Sequence, residues 1–163
     1  MNLSFQRTSV FCRELESSLG FYRDLLGLVP VEEKTIEGAA AGALLQLPPC
    51  RMRIALLSVD AAADPVVGLF EIGGVELETM AYPQVGVSFG QTAILFATRE
   101  FDAVHARLVA AGTRFLTPPL CYPKRTASAR SPAGIYREMI VHDPDCLLVG
   151  IMQIEPLPEE AQS

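Results

Sequence analysis

Residues 5–27, FQRTSVFCRELESSLGFYRDLLG, decide the fold, because residues 91–112, QTAILFATREFDAVHARLVAAG, repeat their pattern. Each copy begins as a β-like stretch, passes Glu14 or Glu100, continues as an amphipathic helix and stops at Gly27 or Gly112. The offset is 86 residues between the glutamates and 85 between the glycines. Repetition at a fixed period predicts a duplicated structural module. A glycine at each helix end is typical of a left-handed cap.

Strand patterns follow each predicted helix. They lie at about 29–35, 41–47 and 51–58 in the first copy, and at about 114–118, 135–142 and 146–153 in the second. The order βαβββ, found twice, predicts an α+β fold in which two tandem modules form a curved, mainly antiparallel sheet around a concave pocket. The expected boundaries are a first module at 1–58, a linker or lid at 59–90, a second module at 91–154 and a tail at 155–163, within one globular domain.

Composition excludes several classes of function. The net charge of −6 disfavours binding to nucleic acid, and the sequence has no apolar run long enough to span a membrane. The first residues, MNLSFQRTSVFCRE, lack the apolar core of a cleaved leader. The four cysteines form no CxxC pair, which favours reduced thiols and a cytoplasmic location.

Three stretches have the form of a family signature. Residues 17–28 are SSLGFYRDLLGL, residues 100–119 are EFDAVHARLVAAGTRFLTPP, and residues 137–153 are REMIVHDPDCLLVGIMQ. They resemble the first helix, the second helix with its following strand, and the closing hairpin of the vicinal oxygen chelate superfamily. That superfamily includes glyoxalases, extradiol dioxygenases and bleomycin-resistance proteins. The resemblance implies the same paired βαβββ modules and, for many members, a homodimer.

The resemblance also implies four positions at which His or Glu would hold a divalent metal. They fall here on Arg7, Ala93, Gly150 and, in the first module, Ala55 or a neighbour. None of these side chains is the imidazole or carboxylate that such metals prefer. We therefore predict neither a metal site nor a cofactor. Cys146 stands where the family turn, usually DPDG, has glycine.

Strand alternation predicts which residues would line the pocket, because side chains at i, i+2 and i+4 share one face of a sheet. The predicted set is mostly apolar and contains two arginines, so we expect a small ligand that is anionic or partly apolar. An inward arginine requires a negative partner, which is either the ligand or an internal glutamate, unless its head reaches water at the rim. The predicted ligand-binding residues are Arg7, Ser9, Phe11, Arg53, Leu57, Ala93, Leu95, Gly150 and Met152.

Other polar residues stand near the pocket. Tyr122 and Tyr136 flank a basic loop at 118–134 and are candidate proton donors, and Glu138 is a single carboxylate, too little for a metal site.

Three functions remain open at this point. The first is a protein of the bleomycin-resistance type that binds a small molecule without a metal. The second is a metal-dependent lyase, isomerase or dioxygenase of the superfamily whose ligands stand at displaced positions. The third is a structural or regulatory homodimer whose pocket is filled by Phe11, Leu57 and Met152.

Overall fold

A computed structural model describes residues 2–83 and 86–158 of the chain. It divides into two compact units, Met1–Tyr82 and Pro83–Ser163, and each contains one four-stranded sheet. Both sheets mix parallel and antiparallel strands and carry few helices, so the predicted α+β class is confirmed. The end of the predicted tail, residues 159–163, lies outside the described residues. Within the described ranges, no helix has the length and apolar character that crossing a membrane requires.

The first unit follows the predicted βαβββ order with one added helix. Its elements are β1 Thr8–Cys12, α1 Leu15–Leu19 with a π-helical continuation Gly20–Leu25, β2 Val29–Gly38, α2 Ala39–Ala43, β3 Cys50–Ser58 and β4 Val67–Gly73. The strand order across the sheet is β1-β4-β3-β2. Strand β1 runs parallel to β4, whereas the other pairs are antiparallel.

The second unit repeats this topology. Its elements are β5 Ala93–Ala97, α3 Phe101–Ala110, β6 Phe115–Lys124, β7 Gly134–His142 and β8 Leu148–Glu155. The strand order is β5-β8-β7-β6, with β5 parallel to β8. The glycines that end the two long helical stretches, Gly27 and Gly112, have φ values of 84° and 67°. The left-handed caps and the duplication predicted from the repeat are both present.

The strand assignment in the first unit was wrong in two places. Residues 41–47, predicted as a strand, form the end of α2 and a turn in which the carbonyl of Gly42 accepts hydrogen bonds of 3.0 Å from the N–H groups of Leu45 and Leu47. The last strand is β4, which lies inside the predicted linker 59–90. The alanine-rich run at 39–43 explains the first error, since alanine favours helix and offers little to a pleated surface.

The predicted basic loop also begins later than expected. Strand β6 extends to Lys124, and its register shifts between Thr117 and Leu120, where Pro118 and Pro119 cannot donate to the ladder. Prolines are tolerated there because β6 is an edge strand. The remaining loop is closed by an isolated bridge between residues 128 and 131.

One face of each sheet is covered by the helix of its unit. In the first unit the backbone N–H of Leu15 donates to the Glu71 carboxylate at 2.7 Å, and Leu15 is buried. In the second the N–H of Phe101 donates to the Gln153 side chain at 3.1 Å, and Phe101 is buried. We call this the helix face, and the side turned away from it the far face.

Part of the far face of the first sheet is closed by α2 and its turn. Ala41 and Leu45 pack there with strand residues of β3 and β4 in one apolar cluster. Gly42 is required for this packing, because a β-carbon on it would lie 2.4 Å from the Pro48 carbonyl oxygen and 2.5 Å from that of Leu47. The β1 side of this far face lies outside the cluster.

The turn before β8 is closed by hydrogen bonds to the Asp143 side chain. The Asp143 carboxylate accepts hydrogen bonds from the backbone N–H groups of Asp145 at 2.9 Å and Leu147 at 2.8 Å. Cys146 adopts a φ of 72°, the left-handed region that glycine occupies without strain. Asp143 therefore holds the turn, and Cys146 adopts a conformation that favours the glycine expected there from the resemblance.

Candidate functional site

In each unit the first and last strands run side by side in parallel, so their register relates the positions at which the resemblance implied metal ligands. In the second unit Leu95 is paired with Gly150, and in the first Ser9 is paired with Gly68. Gly68 is thus the counterpart of Gly150. The earlier assignment to Ala55 is corrected, because Ala55 pairs with Leu69 and so lies on the helix face.

The residues present do not fit a divalent metal centre. The four positions hold Arg7, Gly68, Ala93 and Gly150, which offer no imidazole or carboxylate. A β-carbon on Gly68 would lie 3.0 Å from Arg7 Nε, and one on Gly150 would lie 2.6 Å from Leu95 Cδ1. The space where a ligating side chain would start is therefore occupied by a neighbouring side chain. Across residues 2–83 and 86–158, no group of three or more His, Cys, Asp or Glu could hold a metal ion.

Arg7 has an unusual setting directly before β1. It is half-buried, and its guanidinium carbon lies 5.8 Å from the centre of the Phe70 ring. Its Nε is buried and has no hydrogen-bond partner within the described part of the chain. The ion pairs among those residues do not include Arg7 either, so the internal partner considered from the sequence is not found. The geometry leaves a cationic donor available to a ligand.

Two predicted site residues lie on the other side of the first sheet. Leu56 pairs with Gly68 and shares the far face, so its strand neighbours Arg53 and Leu57 point to the helix face. There Arg53 donates to the carboxylates of Glu16 at 2.7 Å and Glu71 at 3.3 Å. These two contacts raise the pKa of its guanidinium, and the hydrogen bond to Glu16 is the largest cause. The prediction that Arg53 and Leu57 share a face with Arg7, Ser9 and Phe11 is wrong. Assigning the last strand to residues 51–58 instead of 67–73 caused the error.

The four predicted residues of the second unit do share one face. Ala93, Leu95, Gly150 and Met152 lie on adjacent strands, at positions joined by the β5–β8 register. Leu95 is 61% exposed, so this surface is apolar and open within the unit. Whether these residues bind a ligand stays a prediction.

The far face of the second sheet also carries a group of polar side chains. The rings of Tyr122 and Tyr136 stack with centroids 5.6 Å apart and an angle of 18° between planes. The Tyr136 hydroxyl donates to the Pro132 carbonyl at 2.8 Å. Desolvation, followed by hydrogen bonding to Glu138 and the charge of Glu138, raises the pKa of Tyr122. Tyr122 is therefore a neutral donor at physiological pH.

The sequence named Tyr122, Tyr136 and Glu138 but did not place them in contact. It missed Gly68 and Phe70 altogether, because β4 was read as part of a linker. The available signal was the run VVGLFEIG at 66–73, bounded by Asp64-Pro65 and by a further glycine, which is typical of a strand between turns.

Comparison with known families gives the same assignment as the topology. The family model of the Glyoxalase/Bleomycin resistance protein/Dioxygenase superfamily matches residues 4–145. The chain belongs to this superfamily. No curated protein matches the sequence.

Solved structures of superfamily proteins share the fold at low sequence identity. A glyoxalase family protein from Bacillus cereus aligns with a TM-score of 0.73 and 15% identity, covering 95% of this chain and 96% of its own. A glyoxylase/bleomycin resistance protein/dioxygenase domain from Frankia sp. gives 0.58 and 16%, covering 95% and 94%. The trypanothione-dependent glyoxalase I of Leishmania major gives 0.59 and 12%, covering 93% and 87%. At such identities the likeness concerns the fold alone.

Proposed function

We propose that this superfamily member binds a small organic molecule, anionic or partly apolar, without the usual metal centre. The observation that carries the proposal is Arg7, whose buried Nε has no hydrogen-bond partner within the described residues. Ser9 and Phe11 follow it on the same face, and Phe11 is 51% exposed. A guanidinium beside an aromatic ring suits a carboxylate or phosphonate attached to an apolar frame.

We assign candidate binding residues for each unit by itself. In the first they are Arg7, Ser9 and Phe11. In the second they are Ala93, Leu95, Gly150 and Met152, which supply an apolar surface and no charge. Arg53 and Leu57 are not included, because they lie on the helix face.

The absence of ligating side chains at the four family positions supports a metal-free mode of binding. A metal-dependent lyase, isomerase or dioxygenase would need ligands from elsewhere in the chain. Metal analysis of the purified protein separates these alternatives: we expect less than stoichiometric Ni, Zn, Mn and Fe after expression in metal-supplemented medium. One equivalent of any of them, retained after gel filtration, would refute the metal-free proposal.

Binding itself is tested with simple probes by isothermal titration. We expect the protein to bind benzoate or phenylphosphonate and to bind neutral benzamide at least tenfold more weakly. Arg7→Met should weaken binding of the anionic probes by roughly 10- to 100-fold, since a hydrogen bond to a charged group contributes about 1.5–3 kcal/mol. The matched control is Arg51→Met, because the Arg51 side chain is 60% exposed and pairs with Glu37 at 3.4 Å. If Arg7→Met and Arg51→Met bind the anionic probes equally well, Arg7 is not part of the binding site.

A purely structural role is less well supported. It required Phe11, Leu57 and Met152 to fill the pocket, yet Phe11 is half-exposed and Leu57 lies on the helix face. The homodimer expected from the family remains part of our proposal, and light scattering after gel filtration tests it. A cytoplasmic location is also part of the proposal, and the four free cysteines support it.

A further inference from the structure

Glu138 occupies an apolar position on the far face of the second sheet. Its cross-strand neighbours are Leu120 on β6 and Met152 on β8, and its neighbours along β7 on the same face are Tyr136 and Ile140. All four are apolar or aromatic. A carboxylate in such surroundings is unfavourable unless a donor or a cation meets it.

Only part of this requirement is met within the described residues. The Tyr122 hydroxyl, whose pKa is raised by desolvation and by the neighbouring Glu138, offers one neutral donor to a group with two acceptor oxygens. On the same face the ammonium of Lys124 lies 5.9 Å from the centre of the Tyr136 ring and donates at 3.0 Å to the Ser128 hydroxyl and the Ser131 carbonyl. His142, further along β7 on the same face, is buried, and its Nδ1 lies 3.5 Å from the Cys146 carbonyl oxygen.

The guanidinium nearest in sequence faces the other way. Arg137 follows Tyr136 on β7, so it points to the helix face, where it lies 4.7 Å from the centre of the Phe101 ring and is ion-paired with Asp102. No ion pair within the described ranges includes Glu138. Among the described residues, the Glu138 carboxyl group therefore has mainly apolar neighbours and no cationic partner.

The neighbouring rings add a second attraction for a cation. Tyr136 is buried, it is held by its bond to the Pro132 carbonyl, and it stacks on Tyr122 with the Lys124 ammonium 5.9 Å from its ring centre, so the ring face open to a ligand is that of Tyr122. Tyr122 is 42% exposed and can be reached from solvent. The faces of aromatic rings attract ammonium groups, and the attraction grows when the cation is partly desolvated.

We propose that Glu138, Tyr122 and Tyr136 bind the cationic group of a small apolar ligand, such as a protonated amine or quaternary ammonium on an aromatic frame. The carboxylate provides the counter-charge, the exposed ring of Tyr122, backed by Tyr136, provides the platform, and Leu120 contacts the apolar part. All residues of this proposed site belong to the second unit, whereas Arg7 belongs to the first and would take an anion.

The probe for this site is benzylamine, with benzyl alcohol as the neutral analogue of the same size. Titration of the full chain at pH 7, followed by tyrosine fluorescence and by NMR, should give saturable binding of benzylamine and at least tenfold weaker binding of benzyl alcohol. Glu138→Gln keeps the shape and removes the charge, so we expect benzylamine to bind roughly 10- to 100-fold more weakly. Glu37→Gln makes the same change in net charge at an exposed position and should leave the affinity unchanged.

Three outcomes would overturn the proposal: no saturable binding of benzylamine, equal binding of benzyl alcohol, or unchanged affinity in Glu138→Gln. If that variant does not fold, Tyr122→Leu provides a second test, since loss of one ring should weaken benzylamine binding about threefold to tenfold. Unchanged affinity in Tyr122→Leu would equally count against the site. Arg7→Met should bind benzylamine as the wild type does, so failure of one proposed site can be told from failure of the other.

Discussion

Replacing Arg7 by methionine should stabilise the ligand-free protein while weakening its binding of anions. In the structure Arg7 Nε is buried without a hydrogen-bond partner among the described residues, and an unsatisfied group of this kind costs about 1–3 kcal/mol. The variant loses the contact with the Phe70 ring, which at 5.8 Å and partial exposure contributes about 0.5–1 kcal/mol. Methionine retains most of the apolar stem. The balance is a gain in the free energy of unfolding of about 1 kcal/mol.

Urea denaturation followed by circular dichroism measures this gain directly. In a thermal melt it should appear as an increase in Tm of about 2–4 °C for a chain of this size. The control Arg51→Met should stay within about 0.5 kcal/mol of the wild type, as expected for an exposed surface residue. A variant at position 7 that is less stable than the wild type would refute the reasoning, because Arg7 would then be a structural contributor to the fold. Stabilisation together with lost benzoate binding would be the signature of a residue kept for function.

Three further predictions concern the fold. Gly42→Ala should lower the free energy of unfolding by about 1–3 kcal/mol, because the added β-carbon would meet backbone oxygens that cannot rotate away. Gly20→Ala should raise it by about 0.4–1 kcal/mol, because Gly20 has a helical φ of −53° and open space around it. Urea denaturation in which both variants are stabilised would contradict this. Cys146→Gly should be more stable than Cys146→Ala by about 0.5–1 kcal/mol, because only glycine adopts the left-handed φ of 72° without strain. The reverse order of stability in thermal melts would exclude strain at this turn. The hydrogen bonds and charge of Arg137 hold the pKa of Asp102 below its ordinary value of 3.8, so the stabilisation from this pair is full above that pH and is lost as the pH falls below it. Asp102→Asn should therefore show a shallower loss of stability in acid than the wild type, and parallel acid denaturation curves would show that the pair contributes nothing.

The local sequence patterns determined the repeated parts of the fold. Apolar spacing identified both long helices, and the glycines at their ends, Gly27 and Gly112, adopt the left-handed conformation that their positions predict. These features depend on neighbours within a few residues, so they can be read from the chain without knowledge of its tertiary contacts. The same holds for the absence of ligating side chains at Arg7, Ala93 and Gly150.

Only the tertiary structure decided which residues share a face in the first unit. A strand pattern gives alternation but not the partner strand, and a shift of one residue moves every side chain to the opposite face. The last strand of the first unit is β4, not residues 51–58. With that pairing Arg53 and Leu57 lie on the helix face, and Gly68 lies beside Arg7.

The pairing of strands also decides that Tyr122 lies near Glu138. This proximity depends on the shift in register at Pro118 and Pro119, which sets the pairing of β6 with β7. The sequence by itself therefore determined the duplicated module and the loss of the chelating side chains, because both are local properties of the chain. The pairing of strands distant in sequence decided the face on which each charge lies, and no local pattern encodes that pairing.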